Sequence, residues 1–378
     1  MKLRHLAFPL SLIASGSAYA QSSVTLYGVV DANIEFTTNR SQSNPPATPA
    51  NPFPGPAKNA WQMRSGGLSA SRWGLRGDES LGNGYKALFW LESGFNLDTG
   101  TSTQGGRLFG RQAIVGIQSD KFGQITFGRQ FTAMFEMLAN FSSTKYAIQY
   151  EPVFALLGSA FLEDNVAKYK GTFGPVTVAS HWTFGNGLTG AGEVPGQSRR
   201  DTGYGAGLAY FSSPIGATIV YDQINPSQLA ANGSFNGVGT NKKAAVAARY
   251  AFAHADIVAG YRWGQNKAAD GTTILLRDDF YWVGGSYRLG PAFEFTLTYY
   301  YDNLKNFSGN KHLPNPWQVS FQADYRLSKR TDLYVVTAYA KNAGINMESS
   351  AFGFISGYSL GRGKNSMIGA AMGIRHKF

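Results

Sequence analysis

Apolar and polar residues alternate with a period of two along most of this chain. Over residues 24–36, Val24, Leu26, Val30, Ala32, Ile34 and Phe36 share one face, and Thr25, Tyr27, Asp31, Asn33 and Glu35 share the other. The pattern returns at 292–302, where Phe293, Phe295, Leu297, Tyr299 and Tyr301 oppose Glu294, Thr296, Thr298 and Asp302. It returns at 315–327, and the last segment sets Ile368, Ala370, Met372, Ile374 and Phe378 against Arg375 and Lys377. Strict alternation marks a strand with one apolar face.

The pattern predicts sixteen strands: 24–36, 68–78, 84–98, 107–118, 123–131, 165–171, 175–185, 202–212, 215–224, 242–251, 254–264, 278–289, 292–303, 315–327, 331–342 and 366–378. Most exceed the roughly 5–6 residues usual in a soluble sandwich. Ten residues at about 3.3 Å each, tilted by about 45°, rise roughly 23 Å, the height of the apolar band of an outer-membrane barrel. Connections alternate in length. Short turns such as Glu79–Asn83, Ser213-Pro214 and Gly290-Pro291 separate long segments at 37–67, 132–164, 186–201, 225–241, 265–277, 304–314 and 343–365. Short turns on one rim and long loops on the other is the layout of a transmembrane barrel. The expected fold is therefore all-β: a 16-stranded antiparallel transmembrane β-barrel with long external loops and short periplasmic turns.

The first twenty residues carry an export pattern. Lys2 and Arg4 precede an apolar run from Leu6 to Ala14, and Ala18-Tyr19-Ala20 forms an A-x-A cleavage site. Residues 1–20 are thus expected to be a signal peptide and 21–378 the barrel. Cleavage removes two cations and no acid, lowering the formal charge from +11 to +9. The chain has no cysteine, so neither a disulfide framework nor a thiolate metal site is available. With 46 Gly, 14% aromatic and only 15% charged residues, it is rich in turn and strand formers.

Two loops stand out. Residues 41–58 are rich in Pro, Asn and Ala and predict an irregular exposed segment. Residues 132–164 are long and apolar, which argues for burial and function. Packing on the barrel exterior or at a subunit contact is the alternative reading for this loop.

Several stretches resemble the general Gram-negative trimeric porins, especially their β-proteobacterial branch. They are SSVTLYGVVDANIEF at the expected mature N-terminus, SRWGLRGDESLGNGYKALFWLESGF at 71–95, RLFGRQAIVGIQSDKFGQITFGRQ at 107–130, NVAKY at 165–169 and GIRHKF at the end. They span the chain in family order. The resemblance implies a homotrimer in the outer membrane, in contact with its lipid, and a loop 132–164 folded into the lumen as a constriction. It implies that Phe378 is part of the signal read by the outer-membrane assembly machinery. It also implies wall arginines facing acids of the inserted loop: Arg72 and Arg111 match directly, with Arg76 and Arg129 as neighbours, and Glu136, Glu151, Glu163 and Asp164 supply the acids. Alternation independently turns Arg72 and Arg76 inward, because Trp73 and Leu75 take the other face. It does not decide Arg111. Arg129 shares parity with Ile125 and Phe127 and needs a bulge or strand end to reach the pore. Where the family commonly has an arginine before N-x-V-x-Y, this chain has Leu162, followed by Glu163 and Asp164.

Guanidinium groups stay charged and contact carboxylate or phosphate through a planar fork. A narrow channel concentrates such a field, so the expected function is passive diffusion of small hydrophilic solutes and ions with a preference for anions. Pairing of the arginines with Asp78, Glu79 or Glu92 would weaken that preference. A substrate-specific channel for oligosaccharides or anions is the main alternative, although the lumen-parity aromatics Tyr27, Trp90, Trp282, Tyr300 and Tyr334 are scattered. An exported adhesin or lectin is the remote one.

Catalytic and cofactor motifs fail. Gly357-Tyr358-Ser359-Leu360-Gly361 fits G-x-S-x-G, but no acid follows Glu348. RGKNS at 362–366 lacks the hydroxyl residue after Lys and the first glycine of a phosphate-binding loop. His181, His254, His312 and His376 show no metal-ligand spacing. No enzyme activity, cofactor, metal or nucleic-acid partner is expected.

Overall fold

The structure, a computed structural model, describes residues 23–42, 51, 55–187, 193–230 and 232–378. The expected signal peptide lies outside the described residues. The wall begins with β1 (Ser23–Ser41), β2 (Ala57–Ser65), β3 (Arg72–Gly82), β4 (Tyr85–Gly94), β5 (Gln112–Ser119) and β6 (Gly123–Phe131). After helices α1 (Ala133–Ala139) and α2 (Val153–Leu157) come β7 (Leu162–Phe173), β8 (Val176–Thr183), β9 (Thr202–Ser212) and β10 (Ile215–Asn225). A small hairpin, β11 (Ser227–Leu229) and β12 (Phe235–Val238), stands in the next loop. Then follow β13 (Thr240–Ala251), β14 (Ala255–Lys267), β15 (Ile274–Leu289) and β16 (Phe293–Phe307). The wall ends with β17 (Trp317–Arg326), β18 (Thr331–Lys341) and β19 (Ser366–Lys377).

All wall strands pair antiparallel, and β19 pairs back onto β1, with Val29 opposite Lys377 and Thr37 opposite Gly369. The sheet is closed. Both β2 and β3 pair with β1, along residues 32–41 and 23–29 respectively, so they are two halves of one stave. Counted this way, the barrel has the sixteen staves that alternation predicts. Closure removes every unpaired edge, which lipid requires because it offers the backbone no partner.

The side chains are arranged inside out relative to a soluble protein. Outward Ile34, Val115, Ile219, Leu297 and Met372 are 55–63% exposed, whereas inward Asp31, Thr298 and Gln318 are fully buried. This excludes the adhesin-like alternative of an apolar core between two sheets.

Three expectations about the strands need correction. The second stave is not one strand at 68–78; it starts at Ala57 and breaks at residues 66–71. There the Asp31 carboxylate accepts N–H bonds from Gly67 (2.9 Å), Leu68 (3.0 Å) and Ser69 (2.8 Å), satisfying donors that leave the ladder. The expected strands 84–98 and 107–118 stop at Gly94 and start at Gln112, because local turns such as Asn96 N–H to Thr101 O (2.8 Å) take over between them. On the external side β1, β15 and β16 run beyond their expected ends. Above the hydrocarbon the outer face no longer has to be apolar, so alternation fades while pairing continues.

Residues 132–161 fold into the lumen. Met134, Met137, Leu138 and Phe141 pack on Ala179, Ala209, Val220, Ala245, Phe280 and Trp282 of the wall. Small wall residues leave the space: a Cβ at Gly207 would lie 2.8 Å from Met137 Cγ, and one at Gly284 would lie 2.4 Å from Ser143 Oγ. The exterior-packing alternative for this loop is therefore wrong. The last external loop also turns inward, with Ile345, Met347 and Tyr358 buried.

Candidate pore constriction

The inserted loop is tied to the wall around much of its circuit. Thr132 Oγ1 caps α1 by accepting from Phe135 N–H (3.3 Å), and His181 Nδ1 accepts from Ala133 N–H (3.2 Å). Trp282 Nε1 donates to Phe141 O (2.8 Å), and Gln318 Nε2 and Ser320 Oγ both donate to Tyr150 O (2.8 and 2.6 Å). Arg262 Nε donates to Leu156 O (3.1 Å) while its Nη1 pairs with Asp278 Oδ2 (2.6 Å), holding the C-terminal carbonyls of α2. At the far end Gln149 Nε2 donates to Glu35 Oε1 (2.8 Å). The same Glu35 oxygen accepts from Tyr358 (2.6 Å), so one wall carboxylate secures both inward loops.

Arginines gather on the opposite wall. Arg72, Arg76 and Glu92 face inward from β3 and β4, and Arg111 reaches in from the irregular chain just before β5. Glu92 Oε1 lies 2.7 Å from Arg111 Nε and its Oε2 lies 3.4 Å from Arg72 Nε. Tyr27 OH donates to Glu92 Oε2 (2.7 Å). The Arg76 guanidinium sits 5.5 Å from the Tyr27 ring centre, and that of Arg111 sits 5.5 Å from the Phe131 ring. Phe131 in turn stacks on Phe135 of α1 at 4.2 Å. The arginine wall therefore meets an aromatic edge of the loop.

The acids lie elsewhere. Glu136 on α1 pairs with Lys168 and, at 3.0 Å, with Lys170 on β7. Burial raises its carboxyl, but the two ammonium groups outweigh that and hold it below the ordinary glutamate range. Glu151 is buried within the loop and accepts from Ser142 Oγ (2.7 Å) and from Thr144. Burial dominates there and pushes the carboxyl up to about 7. Glu163 faces the lumen beside His181 Nε2 (3.3 Å). Asp164 pairs with Arg129 (2.6 Å) and Arg107 (2.7 Å) at the external end of β6 and β7. Arg129 keeps the face of the exposed Ile125 and Phe127, and its Nε donates to Gly110 O (2.6 Å). The register does shift between Gly128 and Gln130, yet Arg129 is brought to Asp164 and not to the Arg72–Glu92–Arg111 group.

A closed barrel with a loop folded across its lumen and charged groups on the open side is a channel geometry, and sequence comparison agrees. The family model of Gram-negative porins matches residues 7–344. The chain belongs to the Gram-negative porin family. This porin is similar to an outer membrane porin protein of Bordetella pertussis, 31% identical over 429 aligned positions covering 100% of both chains. Among solved structures it is similar to the anion-selective porin from Comamonas acidovorans, at 24% identity and TM-score 0.74, covering 95% of this chain and 100% of that one. It is also similar in fold to OmpT of Vibrio cholerae in its trimer form, at 14% identity and TM-score 0.67, covering 94% and 99%. The porin resides in the outer membrane and lets small hydrophilic solutes cross by passive diffusion.

Sequence reasoning passed over Lys168 and Lys170 as partners of the loop. Their two-residue spacing on one face of β7 is a legible signal for lumen placement. Arg107, beside Asp164, has no such signal because it lies outside any strand.

Proposed function

We propose that the porin is an anion-preferring trimer whose constriction runs between Arg72, Arg76 and Arg111 on the wall and the aromatic edge of loop 132–164. The observation that carries this reading is that one carboxylate, Glu92, pairs with Arg72 and Arg111, while a third inward guanidinium, Arg76, rests on the Tyr27 ring with no carboxylate partner among the described residues. Two positive charges are left uncompensated in a narrow space bounded by low-dielectric walls, where a field acts most strongly on passing ions. The acids Glu136, Glu151 and Asp164 do not offset them, since each is engaged elsewhere, and Glu163 lies buried beside His181 and pairs with none of the three arginines among the described residues. The similar Comamonas protein is itself an anion-selective porin, in line with this reading.

The same reading covers biogenesis. Residues 1–20 act as a cleaved export signal, and Phe378 is read by the assembly machinery. In the folded barrel Phe378 exchanges backbone bonds with Gly28 (both 3.0 Å), and a Cβ on Gly28 would collide with its ring at 2.2 Å. The protein acts as a conduit and not as a catalyst.

Planar-bilayer recording under a potassium chloride gradient tests the charge preference. A reversal potential of chloride sign is expected, and one of potassium sign overturns it. Migration of unheated protein on a denaturing gel at the mass of three chains tests the trimer.

A further inference from the structure

We propose that the external vestibule of this porin holds a binding site for a small zwitterionic amino acid with an apolar side chain. The inference goes beyond the diffusion function and does not depend on the sign of the pore's ion preference. A cavity of about 150 Å³ opens above α2, against the external halves of β10, β13, β14 and β15. Its charged lining contains two cations, Lys243 and Arg262, and two acids, Asp222 and Asp278.

One of these pairs is closed and the other is open. Arg262 is spent on Asp278 and on the carbonyls of α2, and its guanidinium lies 5.5 Å from the Phe280 ring centre. Lys243 and Asp222 face each other directly across the β10–β13 ladder. Cross-strand neighbours could clasp, yet these two do not form an ion pair. Lys243 has no hydrogen bond or ion pair among the described residues, and Asp222 Oδ2 is buried without a hydrogen-bond partner. The His181 imidazole lies nearby, but its Nε2 is 3.8 Å from Asp222 Oδ2, beyond hydrogen-bond reach. The Lys243 ammonium is held aside against Gly158, where a Cβ would lie 2.7 Å from Nζ. Gly158 has φ of +79°, a conformation that glycine alone adopts readily.

An ammonium and a carboxylate held side by side without direct contact are the complement of a zwitterion. A ligand carboxylate would take Lys243, assisted by the carboxamides of Asn241 and Asn266, which stand opposite one another in the β13–β14 ladder. Its ammonium would take Asp222. A simple anion would meet the unpaired Asp222, and a simple cation the unpaired Lys243, so each would satisfy only half of the site. Leu157, Leu276 and Phe352 supply an apolar wall for the side chain, and the cavity accommodates a branched aliphatic chain.

Calorimetric titration of the purified, detergent-solubilised porin tests this with L-leucine, isovalerate and isopentylamine as probes. Saturable binding of leucine is expected, with the two half-ligands weaker by about tenfold or more, as for loss of a charged hydrogen bond. Lys243→Met and Asp222→Asn should each weaken leucine by at least about tenfold. Leu276→Trp should fill the cavity and abolish binding with both charges intact. Heat-modifiable migration and the retained ability to form open channels in a planar bilayer verify that each variant folds. Absence of leucine binding to the wild type overturns the proposal. So does isovalerate binding as tightly as leucine with no loss in Asp222→Asn, which would mean an anion site. A potassium-sign reversal potential with leucine binding intact would sink the anion-preferring reading and leave this site standing.

Discussion

Arg111 and Arg72 are held on the two oxygens of one carboxylate, Glu92, at 2.7 and 3.4 Å. This part of the lumen wall is therefore a clamped pair of cations with a third, Arg76, resting on Tyr27. Clamping orders the guanidinium groups and cancels one of their charges.

Replacing Glu92 by Gln should raise the anion preference. Removing one charge about 8 Å from the ion path changes an ion's energy by about 0.5 kcal/mol in water, roughly twofold for each ion sign. The permeability ratio of chloride to potassium should rise accordingly. Reversal potentials at matched salt gradients measure it, and an unchanged or lower ratio would show that the arginines do not set the field.

Gly207 and Gly284 are seats for the inserted loop. A Cβ at Gly207 would come 2.8 Å from Met137 Cγ, so Gly207→Val should overpack the interface. Such strain typically costs about 1–3 kcal/mol. The expected outcome is a displaced α1, a larger mean conductance and noisier open-channel current, with the barrel still heat-modifiable.

Glu151 should make the loop's anchorage depend on pH. Burial raises its carboxyl to about 7, above its unfolded value near 4.5. A native state that holds the proton more tightly is favoured at low pH. The stabilisation is fully present below the unfolded value and fades as pH rises toward 7. Glu151→Gln should therefore match the wild type in thermal midpoint at pH 4 and exceed it at pH 8. Equal shifts at both pH values would refute the linkage.

Tyr358 ties the last external loop to Glu35, with its hydroxyl donating to Glu35 Oε1 at 2.6 Å. Arg64 adds a cation–π contact at 4.8 Å and a bond to Ser356 O at 3.2 Å. Tyr358→Phe removes one hydrogen bond to a charged group, worth about 1.5–3 kcal/mol. Faster proteolysis confined to residues 343–365, without loss of the barrel, is the expected result.

Much of this was legible from the chain alone. A strand in a barrel wall meets lipid on one side and water on the other along its whole length. Each residue therefore declares its face locally, as Leu297 and Thr298 do. Arg72 and Arg76 could be placed inward for the same reason. Once the wall leaves the hydrocarbon the rule lapses, which hid Ala57–Ser65 and the outer ends of β1 and β16.

The partners of the charged groups were a different matter. Alternation says which face a side chain takes but not what crosses the lumen to meet it. That the acids of the inserted loop go to Lys168 and Lys170 or into its own interior, while the arginines share Glu92, depends on where α1 comes to rest. Its resting place is set by holes at Gly207 and Gly284 on strands far along the chain. The local two-residue period thus determined the barrel and the direction of each side chain. Packing between distant segments decided where the inserted loop rests and which charges meet, because complementarity of shape and charge across a lumen exists only once the sheet has closed.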